Sequence, residues 1–147
     1  MTTEDDKWTV TSHPDFDPWL EDLDEDSQEK VDGLVRLLRQ HGPQLGRPYA
    51  DRIKGSKYKN LKELRPTSNS DEALRILFYF DKRRDAVLLV GGDKAGNWSA
   101  WYVENIPIAE RRIAEHLTRL AAEEKQATLA AKTAGYQATT KSRRRRK

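Results

Sequence analysis

Charged side chains mark two stretches of the chain that the sequence predicts to be neighbouring β-strands. In residues 58–65, the two-residue alternation of a strand places Glu63 and Arg65 on one face. In residues 74–80, Arg75 and Tyr79 share a face in the same way. Because Arg65 and Arg75 flank a polar turn, strand pairing would bring their guanidinium groups close together. Such a cluster repels itself unless an anion, for example a phosphodiester, lies between its members. Ordinary cross-strand ion pairing is the alternative interpretation.

These residue types suit the cleavage of RNA by its own 2′-hydroxyl group. That reaction needs a base for the 2′-OH proton, cations for the charge of the transition state and an acid for the leaving 5′-oxygen. Arginine and lysine supply the cations, and Glu63 or a lysine of lowered pKa is a candidate base. Tyr58, Tyr79 and Tyr102 are candidates for the acid, or for a platform on which an unpaired base stacks.

A second combination of aromatic and basic residues follows the predicted strands. Trp98 and Trp101 come a few residues after Lys94, which indicates an aromatic and basic patch unless the tryptophans belong to the core.

The sequence gives little support to thiol, metal or nucleotide chemistry. The chain has no cysteine, which excludes a disulfide framework and thiol nucleophiles. Its three histidines lack the spacing of metal ligands, and its one glycine pair lacks the lysine and serine of a phosphate-binding loop. We therefore expect no metal and no cofactor.

The charge of the chain is unevenly distributed. The net charge of +3 divides into −10 over residues 1–29, +7 over residues 30–140 and +6 over the terminal run KSRRRRK. A basic face concentrates polyanions such as RNA, although a solvated surface that keeps the protein in solution is the alternative. The sequence shows neither the start of a secretory signal nor an apolar stretch long enough to span a bilayer. We expect a cytoplasmic protein without a membrane partner.

Hydrophobic periodicity predicts the order β-α-α-β-β-β-α, an α+β fold. A short strand at 8–11 is followed by two helices, the second with apolar positions Val31, Leu34, Val35 and Leu38. Strands at 58–65, 74–80 and 86–90 then form an antiparallel meander, with the helices packed on one side. Residues 98–103 are a possible further extended piece, and Pro107 is expected to open the last helix. The predicted domain spans 8–120, between a flexible N-terminus (1–7) and a helical, then disordered, basic tail (121–147).

Four segments together resemble the RelE/ParE superfamily of toxins, and most of all its HigB and phage-derived Gp49-like branch. They are LKELRP (61–66), ALRILFYFD (73–81), AVLLVGGDKAGNW (86–98) and IPIAERRIAEHL (106–117), within a resemblance that runs from Trp8 to Leu120. It implies a RelE-like fold and a toxin of a type II toxin–antitoxin system. The implied activity is metal-independent, ribosome-dependent endonucleolytic cleavage of mRNA, which inhibits translation. The implied partner is a helix-turn-helix, HigA-like antitoxin, through which the complex binds operator DNA.

The resemblance also assigns residues. Arg65 and Arg75 match arginines at the end and start of the family's two strands, and Lys94 matches the first of a usual lysine pair, whose second lysine is absent here. The expected catalytic residues are Glu63, Arg65, Arg75, Tyr79 and Lys94, with the general acid unassigned. The expected RNA-binding residues are Lys54, Lys57, Tyr58, Lys59, Lys62 and Trp98. Two other functions remain open: a ParE-like inhibitor of DNA gyrase, and a non-catalytic nucleic-acid-binding protein in which the KSRRRRK tail carries the affinity.

Overall fold

A five-stranded sheet forms the centre of the computed structural model, which describes residues 7–67, 73–96 and 98–145, with side chains through residue 135. The elements are β1 (Val10–Ser12), α1 (Asp17–Glu21), α2 (Glu25–His41), a 3₁₀ turn (Gly42–Gln44), β2 (Ala50–Arg52), β3 (Leu61–Leu64), β4 (Leu74–Phe80), β5 (Ala86–Asp93) and α3 (Trp98–Arg145). The strand order is β1-β5-β4-β3-β2, in which β1 pairs in parallel with β5 and the other neighbours pair antiparallel. The predicted α+β class and the β3–β4–β5 meander are confirmed.

The helix α2 covers one face of this sheet because its apolar residues recur on one side. Val31, Leu34 and Leu38 are buried together with residues of the central strands, among them Ile76 and Phe78. The N-cap of α2 is Asp24, whose carboxylate accepts a hydrogen bond from the backbone N–H of Ser27 at 3.1 Å. The N-cap of α1 is Phe16.

The consecutive residues Gly91 and Gly92 show that helices cover both faces of the sheet. A Cβ atom on Gly91 would lie 2.2 Å from the ring of Trp19 in α1, and one on Gly92 would lie 2.2 Å from Trp101 of α3. Neighbouring residues of a strand point to opposite faces, so α1 and the start of α3 pack on opposite sides. The expectation that all helices lie on one side was wrong. It overlooked that β4 is buried on both faces, from Leu74 to Phe78.

The last helix begins earlier than the sequence indicated. Residues 98–103 form the first turns of α3, and Pro107 lies inside the helix, so both expectations for this segment were wrong. Tryptophan, tyrosine and valine favour strands, which misled the local interpretation. Tyr102, Ala109 and Ile113 instead follow helical spacing on a buried or half-buried side of α3. The short edge strand β2 was not predicted, since three residues give no clear periodicity.

The chain divides into two compact units, residues 1–113 and 114–147. In the second unit, α3 continues as far as Arg145. The start of the predicted flexible N-terminus, residues 1–6, lies outside the described residues, and the proposed domain limits stay a prediction. Among the described residues, we find no helix with the length and apolar character needed to cross a membrane.

Alanine at two glycine positions should change stability in opposite directions. Gly91→Ala is expected to destabilise the protein by about 1–3 kcal/mol, because the new methyl group displaces Trp19. Gly33 lies within α2 and has no atom within 4 Å of an added Cβ, so Gly33→Ala should stabilise the protein by about 0.5–1 kcal/mol. Urea denaturation of both variants checks this pair. Equal effects at the two positions would contradict the described packing of β5.

Candidate active site

Three elements bring one acidic and three basic side chains to the α3 side of the sheet. Glu63 lies in β3, Arg75 in β4, and Lys94 directly after β5, while Arg65 directly follows β3. Arg75 pairs with Gly92, and a side chain at Gly92 would point to Trp101 of α3. Directly paired residues share a face, so Arg75 also faces α3. We call Glu63, Arg65, Arg75 and Lys94, together with Tyr102, the Glu63 cluster.

Glu63 is the centre of this cluster. Glu63 is 6% exposed, and its carboxylate accepts a short hydrogen bond from the hydroxyl of Tyr102. The second carboxylate oxygen lies 4.0 Å from Nε of Arg65. Burial, and then the hydrogen bond to Glu63, raise the pKa of Tyr102, so the phenol keeps its proton and serves as a donor. Glu63 is thus held between a neutral donor and a cation.

Arg75 is the most deeply buried member of the cluster. It is 2% exposed, and its Nη1 donates to the carbonyl oxygens of Thr67 at 2.5 Å and Leu74 at 2.7 Å. Burial and then the charge of Arg65 lower the pKa of Arg75, an effect that Glu63 opposes. These bonds tie the end of β3 to the start of β4. Arg75 therefore positions the site, while the partly exposed Arg65 is accessible to a ligand.

Lys94 and Trp98 form the outer edge of the cluster. The ammonium group of Lys94 lies 5.3 Å from the ring centre of Tyr102 and 5.7 Å from that of Trp98. Burial and then the charge of Arg75 lower the pKa of Lys94, which makes the ammonium a readier proton donor. Trp98 is 61% exposed, so its ring is available to an incoming base.

Three cations surround one carboxylate in the Glu63 cluster, so the site favours an anion. Phosphate at about ten times its dissociation constant should stabilise the protein by about 1.4 kcal/mol. A thermal melt in phosphate, against chloride at matched ionic strength, measures this effect. The stabilisation should shrink in Lys94→Gln, which removes one cation of the cluster. An unchanged phosphate effect in that variant would place the anion elsewhere.

The structure does not bring Tyr79 to this cluster. Tyr79 is four residues along β4 from Arg75, or about 13 Å at the rise of a strand. Its ring instead packs edge-on against Tyr58 at 5.9 Å, and burial followed by the charge of Asp81 raises its pKa. The structure therefore gives no support to a catalytic role of Tyr79 within the cluster and places it in an aromatic pair.

A basic loop adjoins this pair. Lys57 lies 5.4 Å from the ring centre of Tyr58, and Lys54 and Lys59 are exposed in the same loop. Glu110 of α3 anchors the loop by accepting hydrogen bonds from the hydroxyl of Ser56 and the backbone N–H of Lys57, at 2.8 and 2.9 Å. Four of the six expected RNA-binding residues thus lie together.

Lys62 lies on the opposite face of the sheet, as the strand alternation predicted. Its ammonium group donates to the carbonyl oxygen of Pro43 at 3.2 Å and lies 5.5 Å from the ring centre of Phe80. Burial and then the charge of Arg52 lower its pKa. Lys62 therefore does not belong to the surface formed by the Glu63 cluster.

Tyr102 is the member of the cluster that sequence reasoning did not single out. It was one of three candidate tyrosines, and only its spacing on α3 could have favoured it. Tyr102→Phe should cost about 1–2 kcal/mol, because Glu63 loses a hydrogen bond to a charged group. The exposed Tyr49 is the control, since Tyr49→Phe should be neutral in the same urea denaturation. Equal stabilities of the two variants would contradict a structural Tyr102–Glu63 bond.

Comparisons with known proteins identify the family. Residues 18–114 match the family described as Phage derived protein Gp49-like. The putative toxin HigB3 of Mycobacterium tuberculosis is 50% identical over 99 residues, which are 67% of this chain and 84% of that protein. The putative toxin HigB2 of the same organism is 46% identical over 101 residues, 69% of this chain but 50% of that longer protein. The chain belongs to the Gp49-like family and is a RelE/HigB-type toxin of a toxin–antitoxin system.

A solved structure agrees with the predicted fold. A mutant of the E. coli toxin RelE in the free state superposes with a TM-score of 0.51, at 12% identity over 72% of this chain and 97% of that chain. At this low identity the likeness concerns the fold alone. The RelE-like α+β fold expected from the sequence is confirmed.

Proposed function

We propose that this toxin is a ribosome-dependent mRNA endoribonuclease that works without a metal. The observation that carries the proposal is the Glu63 cluster, in which a buried carboxylate lies among Arg65, Arg75 and Lys94. The membership of this chain in the RelE/HigB-type toxins also supports an endoribonuclease. Translation then stops because mRNA is cut in the cytoplasm, where ribosomes work.

The proposed reaction is a transesterification within the RNA. Glu63 takes the proton of the 2′-hydroxyl, whose oxygen forms a bond to phosphorus as the bond to the 5′-oxygen breaks. Arg65 stabilises the charge that develops on the phosphate oxygens. Lys94 gives a proton to the leaving 5′-oxygen, since its lowered pKa suits a general acid. The products are a 2′,3′-cyclic phosphate and a free 5′-hydroxyl.

Other residues position the RNA and the site. The Trp98 ring offers a face on which an RNA base stacks. The loop that contains Lys54, Lys57 and Lys59 attracts the phosphate backbone of the RNA. Tyr58 and Tyr79 form a second stacking surface beside that loop.

We further propose a helix-turn-helix, HigA-like antitoxin as the partner that silences this toxin and carries the complex to operator DNA. The proposal rests on the family, whose members act in toxin–antitoxin pairs. Co-expression tests it directly: the gene that neighbours the toxin gene should restore growth and co-purify with the toxin. Growth that stays arrested despite a folded neighbour protein would reject this partner.

Inducible expression in bacteria, with mapping of mRNA 5′-ends during growth arrest, tests the activity. New ends inside translated codons, absent for Arg65→Gln, support the endoribonuclease. Growth arrest without new ends would overturn it in favour of gyrase inhibition, and absence of arrest would favour a binding protein. Treatment with a translation-initiation inhibitor before induction tests the dependence on ribosomes, since the new ends should then disappear.

A further inference from the structure

A second basic surface lies away from the Glu63 cluster. Three adjoining depressions of about 390, 270 and 230 Å³ form a continuous groove, because the first two share Trp8 and Arg84 and the last two share Pro43 and Lys62. We call it the Trp8 groove. Lys62 and Glu63 are neighbours in β3 and point to opposite faces of the sheet, so the groove and the cluster are separate surfaces.

Four of the cations that line the Trp8 groove are available to a ligand. They are Lys7, Arg52, Lys62 and Arg84, and none of the four forms an ion pair with any residue that the structure describes. Two of the acidic residues that line the groove already have partners. Asp81 accepts hydrogen bonds from backbone N–H groups of its own turn at 2.9 and 3.0 Å, and Asp51 pairs with Arg47 at 2.7 Å. The groove therefore presents positive charge that these carboxylates do not neutralise.

Aromatic rings hold two of these cations in place. The guanidinium of Arg84 lies 4.6 Å from the ring centre of Trp8, and the ammonium of Lys62 lies 5.5 Å from that of Phe80. The Trp8 and Phe80 rings pack edge-on at 6.1 Å, and Gly42 leaves room for Trp8 where a Cβ would lie 2.2 Å away. Arg84 adopts a φ of 68°, a conformation uncommon for arginine. Contacts with the Trp8 and Phe80 rings therefore hold Arg84 and Lys62 in position before a ligand binds.

We infer that the Trp8 groove binds the backbone of single-stranded RNA, at a site distinct from the Glu63 cluster. A row of cations along connected depressions suits successive phosphates better than one isolated anion, and the half-buried ring of Trp8 can contact a nucleotide base. The inference rests on the proposed function in that RNA is the substrate. The RNA held here is a second segment beyond the one that is cut.

Binding of an uncleavable RNA tests this inference independently of catalysis. The probe is a fluorescent 2′-O-methyl RNA 12-mer, which lacks the attacking hydroxyl, and the readout is fluorescence anisotropy with the full chain at several salt concentrations. The variant Lys62→Met/Arg84→Asn removes two groove cations, and asparagine tolerates the positive φ of position 84. We expect its affinity to fall about tenfold or more, and the slope of log affinity against log salt to fall by about 1.4.

The matched control is Lys125→Gln/Lys132→Gln, which removes two exposed cations of α3 and leaves the groove intact. The affinity of this control for the 12-mer should stay within about twofold of that of the parent protein. The inference attributes binding to cations in the groove and not to the total charge of the protein. Equal losses in the two double variants, or no loss in the groove variant, would overturn the inference. If the groove variant fails a thermal-melt check of folding, Arg84→Asn alone is measured with the same criteria.

Two further binding measurements establish what the groove recognises and whether it is separate from the Glu63 cluster. If a deca-glutamate peptide binds the parent protein and loses affinity in the groove variant while the RNA does not, the groove serves an acidic protein and the inference is overturned. Arg65→Gln, which removes one cation of the Glu63 cluster, should weaken binding of the 12-mer less than the groove variant does. If the parent protein cleaves no mRNA but binds the 12-mer through the groove, the proposed function is rejected while this site is supported.

Discussion

Glu63→Gln is expected to reduce mRNA cleavage by about 10²–10⁴-fold, because glutamine cannot take the proton of the 2′-hydroxyl. The substitution keeps the size of the side chain and leaves an acceptor for the hydroxyl of Tyr102. Stability should fall by about 1–3 kcal/mol, since the three surrounding cations lose their carboxylate. The measurements are the number of new mRNA 5′-ends after induction and the urea midpoint of the purified variant.

Glu104→Gln is the matched control for this variant. Glu104 is exposed on α3 and carries the same functional group, so its replacement should leave both cleavage and stability close to those of the parent. Full cleavage by a folded Glu63→Gln protein would exclude Glu63 as the base. The Glu63 cluster would then serve only to bind an anion.

The replacement of Arg65 and of Arg75 by alanine should separate catalysis from folding. Arg65→Ala is expected to lower cleavage by about 10²–10³-fold with a stability change within about 1 kcal/mol, because Arg65 is partly exposed and 4.0 Å from its acid. Arg75→Ala should also lose activity, but should destabilise the protein by about 2–4 kcal/mol. The buried carbonyl oxygens of Thr67 and Leu74 would lose their donor.

Denaturation curves and 5′-end counts on the same preparations test this contrast. Arg111→Ala removes an exposed arginine of α3 and serves as the control for loss of a positive charge. If Arg75→Ala proves as stable as Arg65→Ala, the two hydrogen bonds of Arg75 contribute little to stability. Both arginines would then serve only to bind the ligand. If Arg65→Ala still cleaves fully, the accessible cation of the site is a different residue.

Local sequence patterns determined much of the fold. The run LRILFYF predicted β4 at its observed bounds, and the spacing of Val31, Leu34 and Leu38 predicted the buried side of α2. Both signals are local, since a strand alternates every two residues and a helix turns every 3.6. The same alternation correctly placed Lys62 on the face opposite Glu63. The resemblance to RelE/HigB-type toxins was confirmed by the family comparison.

Only the tertiary structure decided which residues complete the candidate site. Tyr102 and Glu63 lie 39 positions apart and meet because α3 packs on the second face of the sheet. Local periodicity does not report the face on which a helix docks. It favoured Tyr79, which shares a strand face with Arg75, whereas the structure places Tyr102 beside Glu63. The burial of Arg75 likewise depends on distant segments, because its side chain faces α3 and donates to the carbonyl oxygen of Thr67. Local sequence patterns determined most of the elements and the candidate arginines Arg65 and Arg75, and packing between distant segments decided the roles of the side chains.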